Sequence, residues 1–258
     1  MNGMLALGAI LALTHESNVN DVLLNLDRKF SAEVKQRGIR EAFLDNLSDD
    51  GLIFAPFPSN GKYVWKNRKP ANTDLRWKPY WVQTAASGDL GWTAGPFRVY
   101  DHDQVTSSGV YVAFWRKGDN GSWKVDLIAS MPGVPVPDAA ASSVTNLPSP
   151  TQTSDDVPAF SLDQEPEQGS LFLGDPWGLS LNNRPNWFSH ESLTMMGAVP
   201  IFQRRSQDGS MAFRFSKVDL EGADSGAYYD IQVLDHDGGG YHDRLDLIRK
   251  SPPTPGRR

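Results

Sequence analysis

The stretch ASGDLGWTAGPFRVYDHDQVTSSGVYVAFWRKGDNGSWKVDLIAS, residues 86–130, decides the fold of this chain. It contains three runs rich in aromatic and β-branched residues, and these runs are separated by Gly, Asp, Asn and Ser. Such a pattern is typical of successive strands in an antiparallel meander. We therefore predict a β-meander here and interpret the rest of the chain around it.

The last hairpin of this stretch has a register that the turn residues predict. The turn contains Asn-Gly, the dipeptide most typical of a two-residue hairpin connection. The resulting register pairs Phe114 with Leu127 and Trp115 with Asp126. One face of the hairpin is then apolar and the other is mixed, which is typical of a sheet that is buried on both sides. We expect other parts of the protein to cover each face.

The composition excludes several classes of function. The chain has 258 residues, and because a single domain usually has roughly 100 to 150 residues, two domains are expected. A net charge of -6 argues against a nucleic-acid groove, which needs clustered Lys and Arg. The chain has no cysteine, which excludes disulfides, a thiolate nucleophile and Cys-ligated zinc. It has neither a Gly-rich phosphate loop nor a Ser nucleophile elbow, and no cofactor is predicted.

An apolar run from Met4 to Leu13 begins the chain. It is far shorter than the approximately 20 residues that a membrane-spanning helix needs, and no membrane span is predicted. The run has the length of a signal-peptide core, but no Lys or Arg precedes it and no clear cleavage site follows. Residues 1–17 are interpreted as a possible signal or N-terminal segment. An exported or periplasmic location and a cytoplasmic one stay equally open.

A helical pattern begins after Asn18. Apolar residues recur there at helical spacing, which predicts an amphipathic helix up to Gly38. The predicted apolar stripe consists of Val19, Val22, Leu23, Leu26, Phe30 and Val34. A second short helix over 39–47, a strand at 52–54 and a long loop over 56–70 follow. Gly91 and Gly95, inside the strand predicted over 90–100, indicate a bend or a close approach of another group to the backbone.

Three sequence blocks carry a resemblance to a known family. They are LDRKFSAEVKQRGIREAFLDNLSDDGLIFAP at 26–56, SGDLGWTAGPF at 87–97 and GVYVAFWRKGDNGSWKVDLI at 109–128. Residues 18–131 resemble the nuclear transport factor 2-like superfamily, in its SnoaL-like branch of largely uncharacterised bacterial domains. The resemblance implies an α+β fold in which helices pack on a curved antiparallel sheet that forms a cone. It also implies a conical pocket, which members use as isomerases, cyclases, dehydratases or plain binders.

The composition changes after Met131. Residues 132–160 are rich in Pro, Ser and Ala, which predicts a linker that is disordered or extended. Residues 161–251 are interpreted as a degenerate, mostly β second copy of the cone, because Ser225-Gly226-Ala227-Tyr228 echoes Ser108-Gly109-Val110-Tyr111. A helix like the first one is missing from this copy. Residues 252–258 are interpreted as a disordered tail.

Asp126 and Tyr111 are the candidate catalytic residues. In the predicted register Asp126 lies opposite Trp115, and an indole beside a carboxylate is expected to raise its pKa, as acid–base chemistry requires. Tyr111 lies on the same face, so the two side chains are candidates for polarising a carbonyl, as in the isomerases that this fold resembles. The alternative is a strand-edge Asp126 that faces water or pairs with Arg116 or Lys124. The sequence also departs from those isomerases, because its first helix has no Tyr where their oxyanion donor lies.

Two classes of function remain open. In the first, the N-terminal domain is a cone that binds an unknown small molecule, with or without catalysis, and five aromatic residues suit a flat or apolar ligand. These candidate ligand-binding residues are Trp77, Tyr80, Trp81, Trp92 and Trp115. In the second, the protein is a non-catalytic interaction module whose aromatic residues are core.

Metal binding and the arrangement of the sheets complete the predictions. Asp101-His102-Asp103 and Asp235-His236-Asp237 are interpreted as polar turns rather than as metal ligands, and no metal site is predicted. Because helices cover only one face of the meander, we expect the two sheets of one chain to pack together as an intramolecular pseudo-dimer. A homodimer through the first sheet is the alternative.

Overall fold

The computed structural model describes residues 18–69, 73–133, 145–150, 195–222, 226–236 and 241–251. The predicted N-terminal segment and the predicted C-terminal tail lie outside these residues, as does most of the predicted linker. No helix among the described residues is both long enough and apolar enough to cross a membrane.

Among the described residues, three helices and eight strands form the N-terminal part of the chain, which is called the first domain below. The helices are α1 (Val19–Arg37), α2 (Ile39–Asn46) and α3 (Gly61–Asn67). The strands are β1 (Leu47–Phe54), β2 (Pro58–Asn60), β3 (Asp74–Trp77), β4 (Trp81–Thr84), β5 (Leu90–Asp101), β6 (Gln104–Lys117), β7 (Trp123–Pro132) and β8 (Thr145–Asn146). They form one sheet in the order β2-β1-β7-β6-β5-β4-β8, with β3 also paired to β5.

The predicted α+β class, with helices packed on a curved sheet that forms a cone, is confirmed. The sheet is mixed rather than purely antiparallel, because β1 runs parallel to β7 and β8 runs parallel to β4. The predicted meander is the antiparallel set β5, β6 and β7 at its centre. At Gly95 a Cβ atom would lie 2.0 Å from the carbonyl oxygen of Lys78, so the predicted close approach is a backbone contact that only glycine allows.

The C-terminal residues form a second sheet. Its strands are β9 (Met195–Arg205), β10 (Met211–Leu220), β11 (Ala227–His236) and β12 (Tyr241–Ser251), all antiparallel, in the order β12-β11-β10-β9. The described part of this region is therefore all β, as expected. That it is a degenerate second copy of the first domain stays a prediction.

Part of the predicted linker belongs to the first sheet. β8, within residues 132–160, pairs with β4, and the Leu147 N–H donates to the Val82 carbonyl oxygen at 3.0 Å. The Asn20 side chain of α1 donates to the Leu147 carbonyl oxygen at 3.0 Å. Composition did not reveal this strand, because a two-residue strand that pairs through its backbone leaves no pattern of alternating apolar residues.

Each face of the first sheet is buried against a different layer. On one side, residues of the three helices, such as Phe30 and Phe43, pack with Tyr111 and Trp115 of β6. On the other side the second sheet packs against the first, and the rings of Phe114 and Phe213 are stacked with centroids 4.2 Å apart. Both faces of the meander are therefore covered, as the mixed hairpin pattern predicted.

Candidate functional site

A buried carboxylate on α1 lies at the centre of the layer between the helices and the sheet. Asp27 is 1% exposed. It lies four residues after Leu23 and three before Phe30 on α1, so all three side chains point to the sheet. Trp77 Nε1 donates to Asp27 Oδ1 at 2.6 Å, and the Tyr111 hydroxyl donates to Asp27 Oδ2 at 2.8 Å. Strands β3 and β6 therefore each supply one donor to this helix residue.

The electrostatics of this network follow from its burial. Burial raises the pKa of Asp27 above its usual value, and hydrogen bonds from Thr93, Trp77 and Tyr111 partly oppose that rise. Burial, and next the charge of Asp27, raise the pKa of Tyr111 well above its usual value. Tyr111 is consequently a neutral hydrogen-bond donor at physiological pH. The protonated form of Asp27 is therefore more favoured here than it is for an Asp side chain in water. An acid–base residue needs a pKa raised in this direction.

Aromatic side chains enclose the network. The Phe30 ring packs against Trp77 at 5.0 Å, against Phe43 at 4.9 Å and against Trp115 at 6.4 Å between centroids, mostly edge to face. Trp115 is 1% exposed, and its Nε1 donates to the Thr93 hydroxyl at 2.9 Å. Side chains therefore fill the interior of the cone around Asp27, and water is kept from the carboxylate.

The five predicted ligand-binding aromatics lie on two sides of the sheet. Trp77 and Trp115 belong to the layer between helices and sheet, together with Tyr111. The other three, namely Tyr80, Trp81 and Trp92, belong to the layer between the two sheets. The set therefore does not line one pocket. Successive side chains of a strand point to opposite faces of the sheet, and Trp77 ends β3 whereas Trp81 begins the separate strand β4.

Asp126 lies elsewhere, and the register that made it a candidate is wrong. A bulge after Phe114 pairs Trp115 with Val125 instead, while the predicted Phe114 and Leu127 pair is confirmed. Asp126 is 1% exposed. Its Oδ2 forms ion pairs with two arginines: it lies 2.6 Å from Arg116 Nε and 3.3 Å from Arg204 Nε of β9. The structure thus places Asp126 with Arg116, the alternative that the sequence left open, and apart from Tyr111.

Sequence reasoning missed Asp27. The predicted stripe on α1 included Val19 and Val22, yet these are 37% and 36% exposed. The available signal was the spacing of Leu23, Asp27 and Phe30, which places a carboxylate in phase with the buried residues. A lone acidic residue in a helix is usually solvated, so this signal needs the tertiary structure to become visible.

The described residues of the two Asp-His-Asp segments lie in different settings. His102 lies in the turn between β5 and β6 with a side chain 95% exposed. Asp235 and His236 are buried in β11 and not in a turn, so the turn interpretation was wrong for them, and Asp237 lies outside the described residues. Within the described part of the chain, no three His, Asp or Glu side chains are grouped as metal ligands.

Several solved structures are similar to the N-terminal part of the chain. No protein-family model and no curated protein match the sequence. A putative ketosteroid isomerase from Parabacteroides distasonis has 17% identity and a TM-score of 0.35 over 45% of this chain and 89% of that one. An NTF2-like protein from Cytophaga hutchinsonii has 19% identity and a TM-score of 0.35 over 45% and 98% of the two chains. RV0760c from Mycobacterium tuberculosis, in complex with estradiol-17β-hemisuccinate, has 17% identity and a TM-score of 0.33 over 42% and 91%.

Similarity at this level says nothing about the activity of this chain. The assignment rests on the architecture: two N-terminal helices lead into a strand, and a third helix and a long antiparallel meander complete a sheet that the helices cover on one side. This element order and topology agree with the fold that the resemblance of residues 18–131 to the nuclear transport factor 2-like superfamily implies.

Proposed function

We propose that the protein binds a small molecule in the helix-covered interior of its N-terminal cone, with Asp27 and Tyr111 as the polar groups that hold the ligand. Trp77 and Trp115 are the two predicted aromatic residues that contribute to this site. Tyr80, Trp81 and Trp92 belong to the core between the sheets and are not part of the proposal.

The burial of Asp27 without a cation carries the proposal. Its two oxygens accept hydrogen bonds from uncharged donors, and no Lys, Arg or His among the described residues forms an ion pair with it. Burying a carboxylate with no ion-pair partner is costly, and apolar packing of similar volume would make a more stable core. A buried carboxyl whose pKa is raised, and whose partners are uncharged, is a functional-site candidate with a physical basis.

Catalysis at this site is a finer version of the same proposal. When the Tyr111 hydroxyl turns from Asp27 Oδ2 to a ligand carbonyl, it polarises that carbonyl, and the Asp27 oxygen that it leaves accepts or returns a proton. This is isomerase-, dehydratase- or cyclase-type chemistry. Asp126 was the acid–base candidate from the sequence, but its two arginine partners and its distance in the fold from Tyr111 favour Asp27 in that role.

A second candidate function is a non-catalytic interaction module. The observation that favours it is the packing inside the cone, where Phe30 and Trp115 are each 1% exposed and in contact with one another. For the cone to hold a ligand, these aromatic rings must move aside. Under this alternative, the Asp27 network only positions α1 on the sheet.

A ligand screen with a matched variant separates the two functions. We expect thermal-shift screening of a metabolite library to yield compounds that stabilise the wild-type chain and that lose this effect in Asp27→Asn. Asp119→Asn, in the exposed turn before β7, makes the same charge change and should respond like the wild type. Compounds that stabilise all three proteins equally, or a library with no binder, would favour the interaction module.

The pH dependence of stability tests the state of Asp27 directly. Because its pKa is raised in the folded state, the folded protein binds more protons than the unfolded chain between the ordinary Asp pKa and the raised value. The contribution of Asp27 to stability is therefore greatest below about pH 4 and falls as the pH rises through the raised pKa. Urea unfolding of the wild type and Asp27→Asn should show the wild type losing stability relative to the variant as the pH increases. A difference that does not change with pH would contradict the raised pKa.

We also propose that the second sheet takes the place of a second subunit. Contacts between the sheets combine apolar packing with polar links: Gln83 Nε2 donates to Asp235 Oδ2 at 2.9 Å, and Arg249 Nε donates to the Ser130 carbonyl oxygen at 2.8 Å. With its sheet face covered in this way, the N-terminal domain has no need of a homodimer.

A further inference from the structure

A cleft of about 200 Å³ lies where the three helices meet, apart from the Asp27 network. The end of α1, the start of α2 and the residues at and after the end of α3 form its wall. The residues of the wall that bear charge or a polar ring atom are Arg37, Arg40, Glu41, Trp65, Arg68 and Lys69.

The wall of this cleft is basic in an acidic protein. It contains four Lys and Arg side chains and one Glu, which gives +3, whereas the whole chain carries -6. Glu41 pairs with Arg40, and Arg37 pairs with Asp45. Arg68 lies over the ring of Trp65 at 5.1 Å. Neither Arg68 nor Lys69 forms an ion pair with any described residue, so their charges are available to an anion.

The start of α2 adds a second source of positive potential. Its N-cap is Gly38, which has no side chain to accept from the first backbone N–H groups, and no side-chain cap is formed. Ile39 and the two residues after it line the cleft. Unsatisfied N–H groups at a helix start favour negatively charged ligands.

Trp65 supplies an independent sign of a missing acceptor. The residue is 6% exposed, and its Nε1 is buried with no hydrogen-bond partner in the described part of the chain. Arg40 Nε donates to the Trp65 carbonyl oxygen at 3.0 Å and Phe43 packs on the ring at 5.0 Å, so the indole is held in place. A fixed, buried N–H without an acceptor in the wall of a basic cleft is a feature that a bound oxygen atom would satisfy.

We propose that this cleft binds the oxyanion of a small organic acid, a carboxylate or a phosphate group. The anion accepts from Trp65 Nε1 and from the first N–H groups of α2, and it is paired with Arg68 and Lys69. Charge-assisted hydrogen bonds of this kind are shorter and stronger than neutral ones. The site does not depend on Asp27, so each of the two proposals stands or fails by its own experiment.

Titration of the ¹⁵N-labelled full chain with benzoate and with inorganic phosphate tests the proposal. The Trp65 indole N–H signal, assigned with Trp65→Phe, should move downfield and saturate with at least one of the two anions. Benzamide, which has the shape of benzoate but no charge, should leave the signal in place. Raising the salt concentration should weaken the binding, because the cleft is open to solvent screening.

Two charge variants distinguish a site from general attraction. Arg68→Gln should weaken anion binding about tenfold, the effect of losing one charge-assisted hydrogen bond. Lys62→Gln removes a cation from α3 outside the cleft wall, and this variant should bind as the wild type does. An unmoved Trp65 signal with both anions, an equal response to benzamide, or equal weakening in Arg68→Gln and Lys62→Gln would overturn the proposal.

Discussion

Replacing Phe114 by Ala is expected to lower the free energy of unfolding by about 3 to 5 kcal/mol, the usual cost of truncating a buried Phe. Phe114 is fully buried, and its ring is stacked on Phe213 of the second sheet at 4.2 Å with an angle of 16° between the planes. The cavity would lie between two sheets whose strands are fixed by hydrogen bonds, so the surroundings have little freedom to collapse. Chemical denaturation of the full chain gives the value directly.

The control and the partner variant sharpen this result. Val105→Ala, on the same strand but 51% exposed, should change stability by no more than about 0.5 kcal/mol. A double-mutant cycle with Phe213→Ala should give a coupling energy of about 0.5 to 1.5 kcal/mol, because the two rings are in contact. A Phe114→Ala protein as stable as the wild type would show that the two sheets are not packed at this point.

Removing the second sheet should make the remaining chain self-associate more strongly than the full chain does. A fragment of residues 18–150 keeps the helices and β8 but uncovers the sheet face that the second sheet buries. Its newly exposed side chains include Trp92, Val112, Phe114, Leu127, Ala129 and Met131. A contiguous aromatic and aliphatic patch of this kind promotes association. Analytical ultracentrifugation and binding of a hydrophobic dye, compared with the full chain, measure the effect.

A charged variant of the fragment identifies the surface involved. Phe114→Glu in the fragment places a carboxylate at the centre of the uncovered face and should reduce self-association while circular dichroism still reports the fold. A fragment that is monomeric and binds no more dye than the full chain would contradict both the pseudo-dimer and its homodimer alternative.

The most accurate sequence predictions concern local patterns. The aromatic and β-branched runs separated by turn residues predicted strands β5 to β7, and the Asn-Gly turn predicted the Phe114 and Leu127 pair. The first helix was expected from its apolar spacing, and a bend or a close approach to the backbone was expected at Gly95. The strands, the turn and the helix depend on interactions over a few residues, which the residue types themselves set. At Gly95 the missing side chain signalled the contact, and only the structure showed that Lys78 makes it.

The candidate site was decided by contacts between distant parts of the chain. One bulge after Phe114 shifted Asp126 from the partner of Trp115 to a partner of Arg116 and Arg204, and no residue in the turn signals it. The rotation of α1 on the sheet exposed Val22 and buried Asp27, although both positions fit an amphipathic helix.

The division between sequence and tertiary structure has a physical reason. Amino-acid pattern determines which segments become strands and helices, since propensity and periodicity act over a few residues. It does not determine the phase of a helix against a sheet or the extra residue of a bulge, because these depend on how whole faces pack. The helices cover one face of the meander, where Tyr111 lies beside Asp27, and the second sheet covers the other, where Arg204 reaches Asp126 together with Arg116.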